Sequence, residues 1–254
     1  MIATVSPPPH SHIAVLAWPR IAARLGAMLG LLMACALLYW LWRPFTRHNP
    51  WPRTFLGGIA RIAGVTIQVE GRRATGGTFL LANHVSWIDI PAIASATGAA
   101  FVGHDGLASM PLLRALCAMN DTVFIARHDR TSVRHQIAQV RAALRDTGAL
   151  AIFPEGTTSD GTGLLPFKSS LLSALDPVPP GIAVQPVLLD YGPDVADVAW
   201  VGSEHGVDNF LRILARRRPV PLIVRFLLPL SGDALVSRKT MAMAAREAIQ
   251  AAMG

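Results

Sequence analysis

Residues 78–96 read TFLLANHVSWIDIPAIASA, and a change of rhythm inside that stretch decides the fold. Thr78 to Ala82 is a short apolar run with strand character, whereas the apolar positions from Ile88 to Ala96 fall at helical spacing. A strand, a polar loop and a helix therefore follow one another within nineteen residues. The alternation repeats on either side. Further strand-like runs lie at Val65 to Val69, Thr122 to Ile125, Ala149 to Phe153, Ala183 to Leu189 and Val220 to Leu227. Helical patterns lie near Ser132 to Asp146, Leu164 to Ala174 and Lys239 to Met253. Strands alternating with helices predict an α/β fold, a mixed sheet covered by helices.

The chain has 254 residues, enough for one large α/β domain and too few for two domains beside a membrane segment. It is 52% hydrophobic and 15% charged, against about 25% charged in an ordinary soluble domain. Membrane association is the simplest cause. From Leu25 to Trp42 run eighteen uncharged residues, bracketed by Arg24 and Arg43 and ending in Tyr39, Trp40 and Trp42. As a helix they cover about 27 Å, the thickness of a bilayer core, with an aromatic belt at one end. No small-residue cleavage site follows, so the run reads as a retained membrane helix rather than a signal peptide. Trp51 to Gly64 places apolar residues at near-helical spacing with Arg53 and Arg61 among them, which fits either a second, interfacial helix or a core helix. The predicted organisation is a flexible tail at 1–20, the membrane and interfacial helices at 21–64, and a main domain at 65–254. Arg43, Arg47, Arg53 and Arg61 follow the apolar run and only Arg20 and Arg24 precede it, which places the main domain on the cytoplasmic side of the inner membrane.

Net charge is +7, which favours anionic partners without choosing among them. Arg212, Arg216, Arg217 and Arg218 form a basic run on an expected helix, which reads as a solvated face or as a dock for membrane or an acidic carrier. Nucleic acid does not fit a chain with a membrane helix. Cys35 and Cys117 make no disulfide or zinc framework.

Four short blocks carry candidate chemistry. Asn83-His84-Val85-Ser86-Trp87-Ile88-Asp89 sits where a strand gives way to a helix, the usual place for a site in an α/β fold. Asp89 can fold back to accept from one ring nitrogen of His84, leaving the other to take a proton, as in a Ser-His-Asp triad. An acceptor's own hydroxyl would then stand where the triad has its serine. Taken alone the pair also reads as a helix cap. Phe153-Pro154-Glu155-Gly156-Thr157-Thr158-Ser159 also follows a strand, and its Gly156 turn can turn backbone N–H groups toward a phosphate or an oxyanion, with Lys168 downstream. Taken alone it is a plain turn. Thr162-Gly163 stands where a P-loop after Gly156 and Gly161 would need Lys-Ser/Thr, so a nucleotide site is rejected. Val123-Phe124-Ile125-Ala126-Arg127 delivers an arginine at a strand end, suited to a phosphate. Val184-Gln185-Pro186-Val187 is a strand with a proline, which marks an edge, a bulge or a core strand.

In their order these blocks resemble the 1-acyl-glycerol-3-phosphate acyltransferase family, from about Trp51 to Phe210. The resemblance implies that His84 is the catalytic base and Asp89 its partner, and that Arg127, Glu155, Gly156, Thr157 and Lys168 bind the acceptor. It implies a membrane-bound enzyme that moves an acyl group from acyl-CoA or acyl carrier protein to the hydroxyl of a lysophospholipid, foremost 1-acyl-glycerol-3-phosphate, and needs no metal or other cofactor. Two departures are visible: Ala126 precedes Arg127 where many members have Asp or Asn, and Gln185 stands where Val-Pro-Val or Ile-Pro-Val is usual. The stretch TTSDG followed by LPFKSSL also resembles the branch that acylates lyso-ornithine lipid, whose head group has no phosphate.

Two other classes compete. A serine esterase would need a G-x-S-x-G elbow, which the chain lacks. Metal-dependent hydrolysis could draw on His84, Asp89, His104, Asp105 and Glu155, yet no H-E-x-x-H or paired-cysteine spacing is present. A non-catalytic lipid-binding protein would have no use for an intact His84 and Asp89.

Overall fold

A computed structural model describes residues 13–46, 49–104, 122–125, 142–144, 147–202 and 204–254. Arg127, with Ala126 before it, and Asp105 lie outside the described residues, as does most of the helix expected over 132–146. The chain opens with two helices, α1 (Trp18–Trp42) and α2 (Trp51–Ala63). Strands β1 (Val65–Glu70) and β2 (Gly77–Ala82) follow, then α3 (Asp89–Thr97), β3 (Ala100–His104), β4 (Val123–Ile125), β5 (Ala149–Ile152) and β6 (Ile182–Asp190). Helix α4 (Gly206–Ala215), β7 (Val220–Phe226) and α5 (Arg238–Ala252) complete the order.

The seven strands form one sheet in the order β1-β7-β6-β2-β5-β3-β4. Every pairing is parallel except β6 with β7, so the sheet is mixed, as expected. Strand β2 lies at its centre with all but its first residue buried. Alternate side chains point to opposite faces. Leu80 and Ala82 join the core under α3 and α4, while Phe79 and Leu81 pack with Leu172, Leu175 and the α5 residues Met241, Ala242 and Ala245. A parallel strand of this composition needs a cover on both faces, and it has one.

The proline-bearing strand proves to be interior. β6 lies between β2 and β7, and Pro186 pairs with Leu81 just beyond the Val187–Phe226 position where the β7 ladder starts, so its missing N–H costs no bond there. Buried Gln185 ties this end together. Its Nε2 donates to the carbonyls of Leu227 (2.7 Å) and Arg72 (3.0 Å), and its Oε1 accepts from Ala74 N (2.9 Å). The departure from the usual apolar residue is therefore a structural brace far from the loop that carries His84.

The helix expected near Leu164 to Ala174 does not form. Residues 164–168 are irregular and a 3-10 helix follows at Ser169–Leu175. Pro166 keeps Leu165 out of helical backbone, and the Lys168 amide, which a helix would bond to Leu164 O, donates to Pro154 O instead.

Helix α1 starts at Trp18, within the stretch expected to be a tail, and its 25 residues span about 37 Å. It runs antiparallel to α2: Trp42 meets Trp51 edge to face, Leu31 packs over Gly58, and Arg24 lies beside Gly64. A Cβ on Gly58 would come within 2.4 Å of Leu31, and one on Gly57 within 3.0 Å of the Ser95 hydroxyl, so the glycine pair lets α2 lie close to both α1 and α3. Only Ile21, Met28 and Cys35 of α1 are buried, a stripe repeating every seven residues. Leu29, Met33, Leu37, Trp40, Leu41 and, beyond the helix, Phe45 are exposed, a continuous apolar surface with no protein cover. The stretch Val15–Trp42 is long and apolar enough to cross a membrane.

The arginines that precede the apolar run have a second use. Arg20 Nη1 donates to Ala215 O (2.8 Å), and Arg24 Nη1 donates to Leu214 O (2.8 Å) and Arg216 O (3.1 Å). These carbonyls end α4, where a helix leaves acceptors without intrahelical donors. The expected basic face of α4 divides accordingly: Arg212 pairs with Glu204, Arg216 pairs with Asp194 and Asp197, and Arg217 and Arg218 are exposed. We expect Arg24→Ala to strip the Arg24 donor from the Leu214 and Arg216 carbonyls and cost about 1–2 kcal/mol, read as a lower Tm of the detergent-purified protein.

Candidate active site

The site grows from the end of β2. Asn83 continues past the strand, and its side chain replaces the next ladder bonds: Nδ2 donates to Leu189 O (3.1 Å) and Oδ1 accepts from Leu189 N (2.7 Å). With Asn83 anchored to β6, His84 is set at the rim of the sheet.

The loop then closes around Asp89, the first residue of α3, whose carboxylate is fully buried. Oδ2 accepts from Val85 N (2.7 Å), Ser86 N (2.9 Å) and His84 Nδ1 (2.8 Å), while Oδ1 accepts from the Tyr191 hydroxyl. The helix-cap reading does not hold: the N-cap of the helix is Ile88, without a side-chain cap bond, and the Asp89 carboxylate accepts from loop amides that precede the helix while it holds the imidazole. A buried carboxylate needs such donors to remain charged. Burial and the neighbouring Asp89 charge push the Tyr191 hydroxyl well above its ordinary pKa, so Tyr191 stays protonated and donates.

His84 is pinned on three sides. Nδ1 carries the proton toward Asp89, one ring face stacks on Phe153 (centroids 4.1 Å apart, 16° between planes), and the backbone carbonyl accepts from Ser159 N (2.7 Å) and Ser159 Oγ (3.1 Å). Phe153 stacks in turn near Phe101, at 6.2 Å. The His84 side chain keeps 18% of its surface exposed, against none for Asp89. An imidazole with its Nδ1 proton fixed offers a bare Nε2 as a base.

The second block buttresses the first. β5 pairs with β2 at Leu81↔Ile152, so Phe153 leaves the sheet beside Ala82 and comes up against His84. Glu155 is buried and points inward: Oε1 accepts from His84 N (2.8 Å) and Oε2 from Leu165 N (3.0 Å). Burial raises its pKa above the ordinary carboxylate range, and the two amides work against that rise. The resemblance implied that Glu155 binds the acceptor; here both its oxygens are taken by loop amides, and Lys168 and Thr157 are exposed. Gly156 turns the chain with φ 71°, in the left-handed region. The Thr158 hydroxyl donates to Trp200 O, and Trp200 N donates to Val85 O (2.9 Å), which ties both loops to the segment after β6.

Of the residues singled out in the sequence, the structure brings together His84, Asp89 and Glu155, with Gly156 and Thr157 on the adjoining turn. Lys168 is farther along the same loop and Arg127 lies outside the described residues. Asn83 and Phe153 were quoted without a role. Tyr191 was passed over, although a tyrosine directly after the apolar strand VQPVLLD stands at a strand end, where sites collect.

The acyltransferase family model matches residues 65–190. The lyso-ornithine lipid O-acyltransferase of Rhodobacter capsulatus is 32% identical over 98% of this chain and 95% of its own length. The 1-acyl-sn-glycerol-3-phosphate acyltransferase of Neisseria gonorrhoeae is 36% identical over 47% of this chain and 49% of its own. The crystal structure of the 1-acyl-sn-glycerophosphate acyltransferase from Thermotoga maritima superposes with a TM-score of 0.62 at 19% identity, covering 92% of this chain and 96% of that one. The α/β sheet, the buried His84–Asp89 pair and these likenesses converge: the chain belongs to the acyltransferase family of lipid-synthesising membrane enzymes.

Glu155→Ala is expected to strand two loop amides, those of His84 and Leu165, and to cost about 2 kcal/mol or more, seen as a lower Tm together with lost transfer activity. Because its pKa is raised on folding, native Glu155 keeps its proton to a higher pH than the unfolded chain does. Its own contribution to stability therefore falls as pH rises through the window just above the ordinary carboxylate range. A denaturation series across that window should lose this fall in the alanine variant.

Proposed function

We propose that the chain transfers an acyl group from a thioester donor, acyl-CoA or acyl carrier protein, directly to the hydroxyl of a lyso-lipid, with His84 as general base and Asp89 as its orienting partner. The observation that carries this reading is the fixed imidazole: Nδ1 is held by a buried carboxylate, one face is covered by Phe153, and the side chain keeps part of its surface exposed. As the acceptor oxygen attacks the thioester carbonyl, Nε2 takes the hydroxyl proton. As the tetrahedral intermediate collapses, the C–S bond breaks and the imidazolium returns that proton to the departing thiolate. The Thr157 backbone N–H at this turn would stabilise the oxyanion or hold the head group, since the Gly156 N–H is committed to Phe153 O.

Lyso-ornithine lipid is our first choice of acceptor. The support is that the relative with that name matches nearly end to end, whereas the glycerol-phosphate enzyme matches 47% of the chain. 1-Acyl-glycerol-3-phosphate is the second reading, favoured by the higher local identity and by the sequence block that ends in Arg127.

We place the enzyme on the cytoplasmic face of the inner membrane. Helix α1 begins against α4 and α2 returns to β1, so the hairpin enters and leaves the bilayer on one side. The uncovered surface from Leu29 to Phe45 supplies the apolar area to anchor it.

The test offers the purified enzyme both lyso-acceptors and both donors side by side. Wild type should acylate lyso-ornithine lipid faster than 1-acyl-glycerol-3-phosphate, and His84→Ala should lower either rate by roughly 10² to 10⁴ while the protein stays folded. Near-normal transfer by His84→Ala would contradict the mechanism, and a preference for the phosphate acceptor would reverse the choice of substrate.

A further inference from the structure

Asp89 holds His84 with one carboxylate oxygen, and the other oxygen meets a residue 102 positions away in sequence. The register of the sheet explains how they meet. β2 and β6 are adjacent and parallel, with Ala82 opposite Val187. Four residues further on, in the same direction, stand Ser86 and Tyr191. The loop that curls around Asp89 and the chain leaving β6 therefore emerge together, and Tyr191 lies beneath the loop with 2% of its surface exposed. Its ring packs in the core shared by Val85, Ile88, Leu189 and Val198.

Oδ2 receives three donors, all from residues 84–86, whereas the donor to Oδ1 is Tyr191. The three donors on Oδ2 all lie on the loop side, so they restrain the carboxylate from one side only. A donor on Oδ1 adds a restraint from the opposite side and narrows the remaining swing of the carboxylate plane. It also removes the cost of a buried carboxylate oxygen without a partner.

We propose that Tyr191 is a positioning residue for acyl transfer: its hydroxyl fixes the plane of the Asp89 carboxylate and through it the direction in which His84 presents Nε2. Tyr191 touches no substrate and loses no proton. It sets the base in the orientation in which proton transfer and attack coincide, a condition to which rates are sensitive at the 1 Å level. The inference rests on the His84–Asp89 reading, and its test keeps the two apart.

Steady-state kinetics of wild type, Tyr191→Phe, Asp89→Ala, the Asp89→Ala/Tyr191→Phe double variant and His84→Ala decide the matter, with each rate referred to the folded fraction well below its Tm. Tyr191→Phe is expected to lower kcat roughly 10-fold while the KM of donor and acceptor stays within about twofold, because an interaction felt only in the transition state is lost. In the Asp89→Ala background the same change should add less than about twofold, because its route to His84 is gone. Wild-type kcat in Tyr191→Phe, or a full loss repeated in the Asp89→Ala background, would overturn the proposal. A changed KM at constant kcat would overturn it too, by making Tyr191 a substrate contact. If His84→Ala itself transfers normally, the dyad reading fails first and the Tyr191 role falls with it. Should Tyr191→Phe not fold, Tyr191→Met, another side chain without a donor, answers the same question through the same kcat and KM split.

Discussion

The site depends on one buried negative charge. The Asp89 carboxylate has no exposed surface, and such a group is tolerated only when donors surround it. The chain supplies four: two loop amides, the His84 ring and the Tyr191 hydroxyl. Each comes from a piece of structure that something else must place. The amides require the tight loop at the end of β2, the ring requires Phe153 and Glu155 from the end of β5, and the hydroxyl requires β6 beside β2. Asp89 thus couples three neighbouring strand ends, and the geometry of the base is a consequence of sheet order.

The same logic explains why the polar residues of the second block face inward. Glu155 accepts from the amides of His84 and Leu165, so it joins the two loops to each other and leaves contact with a ligand to the exposed Thr157 and Lys168. At the other end of the sheet Gln185 performs a comparable task for the turn before β2 and the end of β7. Buried polar side chains here act as substitutes for ladder hydrogen bonds where strands stop. A satisfied polar network of that kind holds its parts in one arrangement.

Much of this was legible in the residues. The strands at 65, 78, 149, 183 and 220 were readable because apolar runs bounded by turns have few other uses, and His84 and Asp89 were readable because a strand end and a fixed spacing put them within reach. Three kinds of feature were not. β3 (Ala100–His104) is short and opens with a small residue, so its run carries little pattern. The start of α1 was placed too late because Arg20 and Arg24 look like the border of a membrane segment, whereas they are helical residues whose charges find the carbonyls at the end of α4. Tyr191 was invisible because its role depends on β6 lying next to β2, a long-range pairing that no local pattern encodes. The helix expected near Leu164 failed for a related reason: Pro166 was local and readable, but the commitment of Lys168 N to Pro154 O was not.

The central claim is that Asp89 fixes the proton of His84 on Nδ1 and leaves Nε2 bare to receive the acceptor's proton. The direct measurement is the pair of ring ¹⁵N chemical shifts of His84 in histidine-labelled enzyme at a pH where the ring is neutral, assigned by their disappearance in His84→Gln. A protonated Nδ1 with an unprotonated Nε2 is the predicted result, and the opposite tautomer would contradict the account.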